Sequence, residues 1–225
     1  LAGGQFVSSA PEKVIGVDFI DYICRGEGEG ALVDLCNALE EGKDPSNIKN
    51  LWVKKNGTIT RNPMDTAFSI NDVPIPDVGL FEEARYYKPL DGKYYRTFPV
   101  ETHRGCPYKC SYCNSPSKEK IYKDAGEVYF RLKNIDGVRR ELLHYKENFG
   151  AEYFYFWADT FLAWSNKEFD EFKELYMDYK IPFWMNTRAE TITEYRAESL
   201  EEMNMLRMNI GIEHGNFEYR KNYLR

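Results

Sequence analysis

The sequence predicts an α/β protein whose larger part is a parallel β/α sheet curling toward a barrel. Three observations predict it. From residue 97 onward, short apolar runs alternate with amphipathic helical stretches, the pattern of repeated βα units. One run, Tyr153-Phe154-Tyr155-Phe156-Trp157-Ala158, is apolar at every position, as a strand covered on both faces must be. Half of the ten prolines (Pro63, Pro74, Pro76, Pro89 and Pro99) separate this region from a smaller α/β stretch upstream. With 225 residues, 43% hydrophobic and 29% charged, the chain has material for one or two folded domains.

In chain order, residues 16–23 read as a short strand. The turn Gly26-Glu27-Gly28-Glu29-Gly30 leads into a helix with Leu32, Leu35, Cys36 and Leu39 on one face and Gly42 at its stop. Residues 51–55 and 58–60 flank Asn56-Gly57, whose positive φ angles suit a tight hairpin. Residues 1–62 therefore form the remains of a small α/β unit. Residues 63–96 form a Pro-rich extended connector, because proline removes donors and fixes φ. Residues 97–225 then give strand 97–102, helix 138–149, strand 153–158, a helix opened by the capping box Ser165-x-x-Glu168, strand 182–187, helix 193–203 and strand 207–213. Four strands cannot close a barrel of this kind, so the chain is expected to be a fragment at both ends.

Composition excludes several classes. Thirty Lys and Arg against 36 Asp and Glu give a net charge of −6, which disfavours a broad nucleic-acid surface. No run approaches the ~18 apolar residues of a membrane span, and no secretory signal precedes the first strand. Five cysteines, three of them within eight residues, do not make a disulfide framework, so a reducing, cytoplasmic setting is expected. Residues 26–31 formally satisfy G-x-G-x-x-[GA], but two glutamates inside the loop would repel a pyrophosphate. Cys24 and Cys36 are expected to be small buried hydrophobes, and His144 a structural helix residue.

The informative segment is Arg104-Gly105-Cys106-Pro107-Tyr108-Lys109-Cys110-Ser111-Tyr112-Cys113. Three soft thiolates at C-x3-C-x2-C spacing converge on one centre if the loop curls. Four usually complete an iron–sulfur cluster. With three, a four-iron cluster keeps one iron open for an outside ligand. The competing reading is a closed Cys3His zinc site using His103, in a module with no turnover. Polar residues at the strand ends, Asp159, Arg188 and Glu213, lie where a βα barrel presents its chemistry. Their alternative is a mouth ion pair between Arg188 and one of the acids.

Cys106, Cys110 and Cys113, with the aromatic Tyr112 before the last, resemble the radical S-adenosylmethionine (SAM) signature. The Arg-Gly-Cys-Pro-Tyr lead-in is similar to the subgroup carrying an N-terminal cobalamin-binding domain. Gly3-Gly4, Asp21-Tyr22, Gly26-Glu27-Gly28-Glu29 and Gly211-Ile212-Glu213 follow that subgroup's order.

The resemblance implies a partial radical SAM barrel at 97–225, truncated after four βα units. Residues 1–62 would be the C-terminal remnant of a Rossmann-like cobalamin-binding domain. It implies a [4Fe-4S] cluster on Cys106, Cys110 and Cys113, with SAM chelated at the open iron. Reductive cleavage to a 5′-deoxyadenosyl radical follows, with electrons from a reductant such as flavodoxin or ferredoxin. Tyr112 would contact SAM, Asp159 its amino group, Arg188 its carboxylate, and Glu213 its ribose or amino group. Gly3 and Gly4 resemble the pair beneath the nucleotide tail of cobalamin. Methyl transfer to an unactivated position is the implied reaction, with cobalamin-free cyclisation or rearrangement as the alternative. The substrate, a small molecule or a peptide, is not named, nor is any residue acting on it. His103 and His214 stand where serine is common in that family. Its Asp-x-His-x-x-Gly string occurs nowhere here, so these 225 residues are not expected to hold cobalamin themselves.

Overall fold

The computed structural model describes residues 1–65 and 69–224. It divides into two compact units, Leu1–Val73 with Asn114–Tyr129, and Pro74–Cys113 with Phe130–Arg225.

The first unit contains α1 (Gln5–Ser9), α2 (Pro11–Ile15), β1 (Tyr22–Cys24), α3 (Glu29–Glu40), β2 (Leu51–Lys55), β3 (Thr58–Arg61) and α4 (Ser115–Asp124). Its three strands form an antiparallel sheet in the order β1-β2-β3. The predicted hairpin is present, with φ of 50° at Asn56 and 77° at Gly57. Two readings need correction. Of the segment 16–23, only its end is strand, because after α2 ends at Ile15 the backbone turns, with Val17 N–H donating to Val14 O and Ile20 N–H to Val17 O, before β1 begins at Tyr22. Helix α3 buries Ala31 and Leu35, an i, i+4 pair, against Leu51 and Val53. Leu32, Leu39 and Cys36 are left exposed, so Cys36 is not a core residue, whereas Cys24 is.

The second unit contains β4 (Tyr87–Leu90), β5 (Lys93–Glu101), β6 (His103–Arg104), β7 (Arg131–Leu132), α5 (Ile135–Phe149), β8 (Tyr153–Trp157), α6 (Asn166–Tyr176), β9 (Phe183–Arg188), α7 (Glu194–Glu202), β10 (Met205–Gly211) and α8 (Phe217–Tyr219). Its main sheet runs β10-β9-β8-β5-β4. The four predicted strands are parallel in sequence order, and β4 is added antiparallel. Alternation along the strands divides the side chains between two faces. Phe98, Val100, Phe154, Phe156, Phe183 and Met185 pack beneath the helices in one core with Leu142, Tyr145, Phe172 and Tyr176. Pro99, Glu101, Tyr155, Trp157 and Trp184 line the other, concave face, a cavity of about 510 Å³.

The expected connector is partly ordered structure. Asp91 and Gly92, at φ 49° and 77°, turn β4 onto β5, an Asp-Gly hairpin signal of the same kind as Asn56-Gly57. Pro89 is tolerated because β4 is the edge strand. Helix α5 starts at Ile135, three residues before the expected 138, because the Asn134 side chain caps it by accepting from Gly137 N–H. The Ser165–Glu168 capping box closes in both directions, and Gly150 ends α5 in the left-handed region. Among the described residues no helix is long and apolar enough to cross a membrane.

Candidate active site at the strand ends

The three-cysteine loop follows β6, just beyond the C-terminal end of β5. Gly105 opens it at φ 82°, a backbone that favours glycine over any residue with a Cβ. The strand pair β6–β7 closes its base, with Arg104 opposite Arg131. Below it lies a chain of alternating charge. Arg104 grips Glu101 through two bonds of 2.8 and 3.2 Å. Lys133 bonds Glu141 at 2.7 Å and stands 4.0 Å from Glu101. Burial raises the Glu141 pKa, and Lys133 opposes that rise. A bidentate pair and a largely covered lysine fix the approach to Cys106.

None of the five cysteines is in a disulfide. Cys106 Sγ lies 3.5 Å from Thr160 Oγ1, Cys110 is buried, and Cys113 is exposed. Among the described residues no three His, Cys, Asp or Glu side chains are gathered tightly enough to hold a metal ion. The donor set nevertheless fits an iron–sulfur cluster by its chemistry, with three soft thiols on one short loop and none consumed in a disulfide. The Cys3His zinc alternative gains nothing from His103. That ring is 2% exposed and sits edge-on to Phe130 and Trp164, with Nδ1 3.2 Å from Thr102 Oγ1.

Burial pushes the His103 pKa down to about 4, and among the described residues Nε2 is buried without a hydrogen-bond partner. Unfolding lets this ring bind a proton at its ordinary value of about 6.5. Its contribution is therefore complete above about pH 6.5 and lost as pH falls toward 4. Across that window the wild-type chain should lose about 3 kcal/mol from this group. Urea unfolding at stepped pH is the measurement, with His103→Phe expected to flatten the slope. An equally steep slope in that variant would assign the loss to other groups.

The remaining predicted residues separate into two sets. Arg188, at the end of β9, donates from Nη1 to Cys110 Sγ at 2.7 Å. Its guanidinium lies 4.0 Å from the centre of the Tyr108 ring. Cys110 and Glu213 stand beside Tyr112, and partial burial followed by these two neighbours raises its pKa. Glu213 lies two residues beyond β10, at φ 68°. Its carboxylate folds back over Gly211, where an added Cβ would stand 2.6 Å from Oε1. Cys110, Tyr112, Arg188 and Glu213 are thus brought together. Asp159 is exposed on the turn after β8, one residue before the Thr160 that meets Cys106.

The turn carrying Asp159 is held from below. Phe161 N–H donates to Asn186 O at 2.8 Å, and the buried Arg196 donates to the carbonyls of Leu162 and Trp164. His214 accepts from the Asn216 backbone and faces Tyr219. His144 pairs with Asn148 on α5. Gly3 and Gly4 belong to the first unit, where Gly4 at φ 95° caps α1 beside the Ala2–Ile23 bridge. Sequence reasoning missed Tyr108 and Thr160. The aromatic two positions before Cys110 was a visible signal for the first, and nothing local marked the second.

A family model described as the Radical SAM superfamily matches residues 100–224. Among curated proteins, the chain is 29% identical over 218 residues to an uncharacterized methyltransferase, PH0819, of Pyrococcus horikoshii, covering 94% of this chain and 44% of that protein. It is 28% identical over 189 residues to the anaerobic magnesium-protoporphyrin IX monomethyl ester cyclase of Rubrivivax gelatinosus, covering 81% and 32%. Among solved structures, the radical S-adenosylmethionine methyltransferase TsrM of Kitasatospora setae matches 98% of this chain and 42% of its own, with a TM-score of 0.68 at 20% identity. The cobalamin-dependent S-adenosylmethionine radical enzyme OxsB matches 98% and 32%, with a TM-score of 0.69 at 20% identity. The chain spans less than half the length of each of these proteins.

Proposed function

Because the chain belongs to the radical SAM superfamily, we propose that Cys106, Cys110 and Cys113 hold a [4Fe-4S] cluster that binds SAM, in a protein that transfers a methyl group to an unactivated position with cobalamin. The observation that carries this reading is three thiols on one loop, none in a disulfide, at the C-terminal end of a parallel β/α sheet. That is where a βα barrel does its chemistry. When bound, such a cluster supplies the electron that cleaves the sulfonium C–S bond of SAM, giving methionine and a 5′-deoxyadenosyl radical.

This chain's residues bind and orient. Asp159, exposed at the mouth, offers a carboxylate to the SAM ammonium. Tyr112 and Glu213, which stand side by side, present a ring and a carboxylate toward the nucleoside. The concave face below, walled by Tyr155, Trp157 and Trp184, gives an apolar cavity for a substrate. Methyl transfer is supported by the likeness to the Pyrococcus protein, and cobalamin by the likeness to OxsB. Cyclisation or rearrangement is the second reading, and the likeness to the porphyrin-ester cyclase favours cyclisation. Cysteines outside disulfides and a redox cluster both suit a reducing cytoplasm and an electron donor such as flavodoxin or ferredoxin.

Anaerobically reconstituted protein, given SAM and titanium(III) citrate, is expected to release 5′-deoxyadenosine and methionine. Intact SAM beside a fully loaded cluster would overturn the reading. Asp159→Ala should keep its iron but bind SAM about tenfold to a hundredfold more weakly, since a charge-assisted bond contributes roughly 1.5–3 kcal/mol. Unchanged affinity, titrated by calorimetry, would remove Asp159 from the site.

A further inference from the structure

We propose that Arg188 is a positioning and tuning residue for the cluster, donating a hydrogen bond to the Cys110 sulfur instead of clamping the SAM carboxylate. The inference rests on the cluster reading above and deepens it. Its basis is where the guanidinium sits, largely covered and turned onto the cysteine loop, with its buried Nε left without a hydrogen-bond partner among the described residues. Nη1 donates to Cys110 Sγ at 2.7 Å. The flat face stacks on Tyr108 at 4.0 Å, and Nε stands 3.5 Å from Glu190 Oε2. The side chain is 14% exposed, so little of it is offered to a ligand from solution. Asp159, by contrast, is exposed at the same mouth.

Two of those three contacts, Tyr108 and Cys110, belong to the cysteine loop itself. Arg188 comes from the end of β9, so the contact ties the loop to the rigid sheet. A guanidinium suits this task because it stacks through its face while donating through its edge, and it stays charged at any working pH. Glu190 is half-exposed and screened by water, so it offsets the cation incompletely.

The consequence is electrostatic. Reduction adds one electron from an external donor to the cluster and breaks no bond. N–H···S bonds and nearby positive charge favour the more negative, reduced state and so raise the reduction potential. Removing Arg188 must therefore lower it. A carboxylate clamp has a different signature. It changes SAM affinity and leaves the potential measured without SAM unmoved.

The experiment is a mediated redox titration of reconstituted wild type, Arg188→Gln and Arg188→Lys without SAM, read by EPR of the reduced cluster, with iron and sulfide counted first. Arg188→Gln should lower the ratio of reduced to oxidised cluster about tenfold at a fixed solution potential, which is about 59 mV for a one-electron couple. Arg188→Lys keeps the charge but loses the fork and the stacking, so its shift should be smaller and of the same sign. Should Arg188→Gln fail to take up iron, Arg188→Lys carries the measurement. Unmoved potentials in loaded variants that bind SAM more than tenfold more weakly would overturn the proposal in favour of the clamp. Failure of wild type to load iron would instead overturn the cluster reading beneath it.

Discussion

Replacing Cys106 with alanine is expected to take the reconstituted chain from about four irons and matching sulfide to almost none, with loss of the broad visible absorption of a four-iron cluster. The effect should be nearly complete because the loop supplies three thiols and no local fourth, so no donor stands by to replace the missing one. Cys106 also enters the loop at the point fixed by Gly105 and by the Arg104–Glu101 pair, where its sulfur meets Thr160. Cys36→Ala is the control. Cys36 is a free thiol, exposed on α3 in the first unit, and its loss should leave iron and sulfide unchanged. Retention of the cluster in Cys106→Ala would assign the ligands wrongly.

Phe156→Ala should cause the largest loss of stability, about 3–5 kcal/mol in urea unfolding of the apo chain. Phe156 is fully buried on the helix-covered face of β8. Its ring centre lies 4.9 Å from that of Phe161, 5.1 Å from Phe183, 5.3 Å from Phe172 and 5.5 Å from Tyr176. Those neighbours come from α6, β9 and the turn that carries Asp159, so they cannot all close on the void. Tyr94→Ala, at a position 74% exposed on β5, should cost under about 0.5 kcal/mol. Equal losses in the two variants would show that the aromatic layer is not the core.

The parallel sheet was legible because its strands are short, apolar and separated by helices of clear period. The capping box gave the helix start at Ser165, and the expected helix 193–203 began within a residue of the observed α7. The Asp91-Gly92 hairpin was equally visible, but the prolines around it suggested bare connector. Local pattern reads a proline as a break without knowing that an edge strand leaves its missing donor unneeded. Burial on α3 was misread for a related reason. A helix carrying Ala31 and Leu32, Leu35 and Cys36 has two adjacent apolar stripes, and the packing partner chooses between them.

The site divides along the same line. The cysteine spacing is a local property, and it pointed to the loop directly. The placement of Arg188 against Cys110 joins residues 78 apart through the curl of the sheet, and no spacing rule contains that. Tyr112 and Glu213, a hundred residues apart, meet for the same reason.

The central claim is a four-iron cluster on Cys106, Cys110 and Cys113 with one iron open to SAM. Mössbauer spectroscopy of 57Fe-reconstituted wild-type chain, recorded before and after addition of SAM, tests it most directly. The account predicts a four-iron spectrum in which one of the four sites alone changes when SAM binds. A chain holding one zinc and no sulfide, or a four-iron spectrum indifferent to saturating SAM, would contradict it.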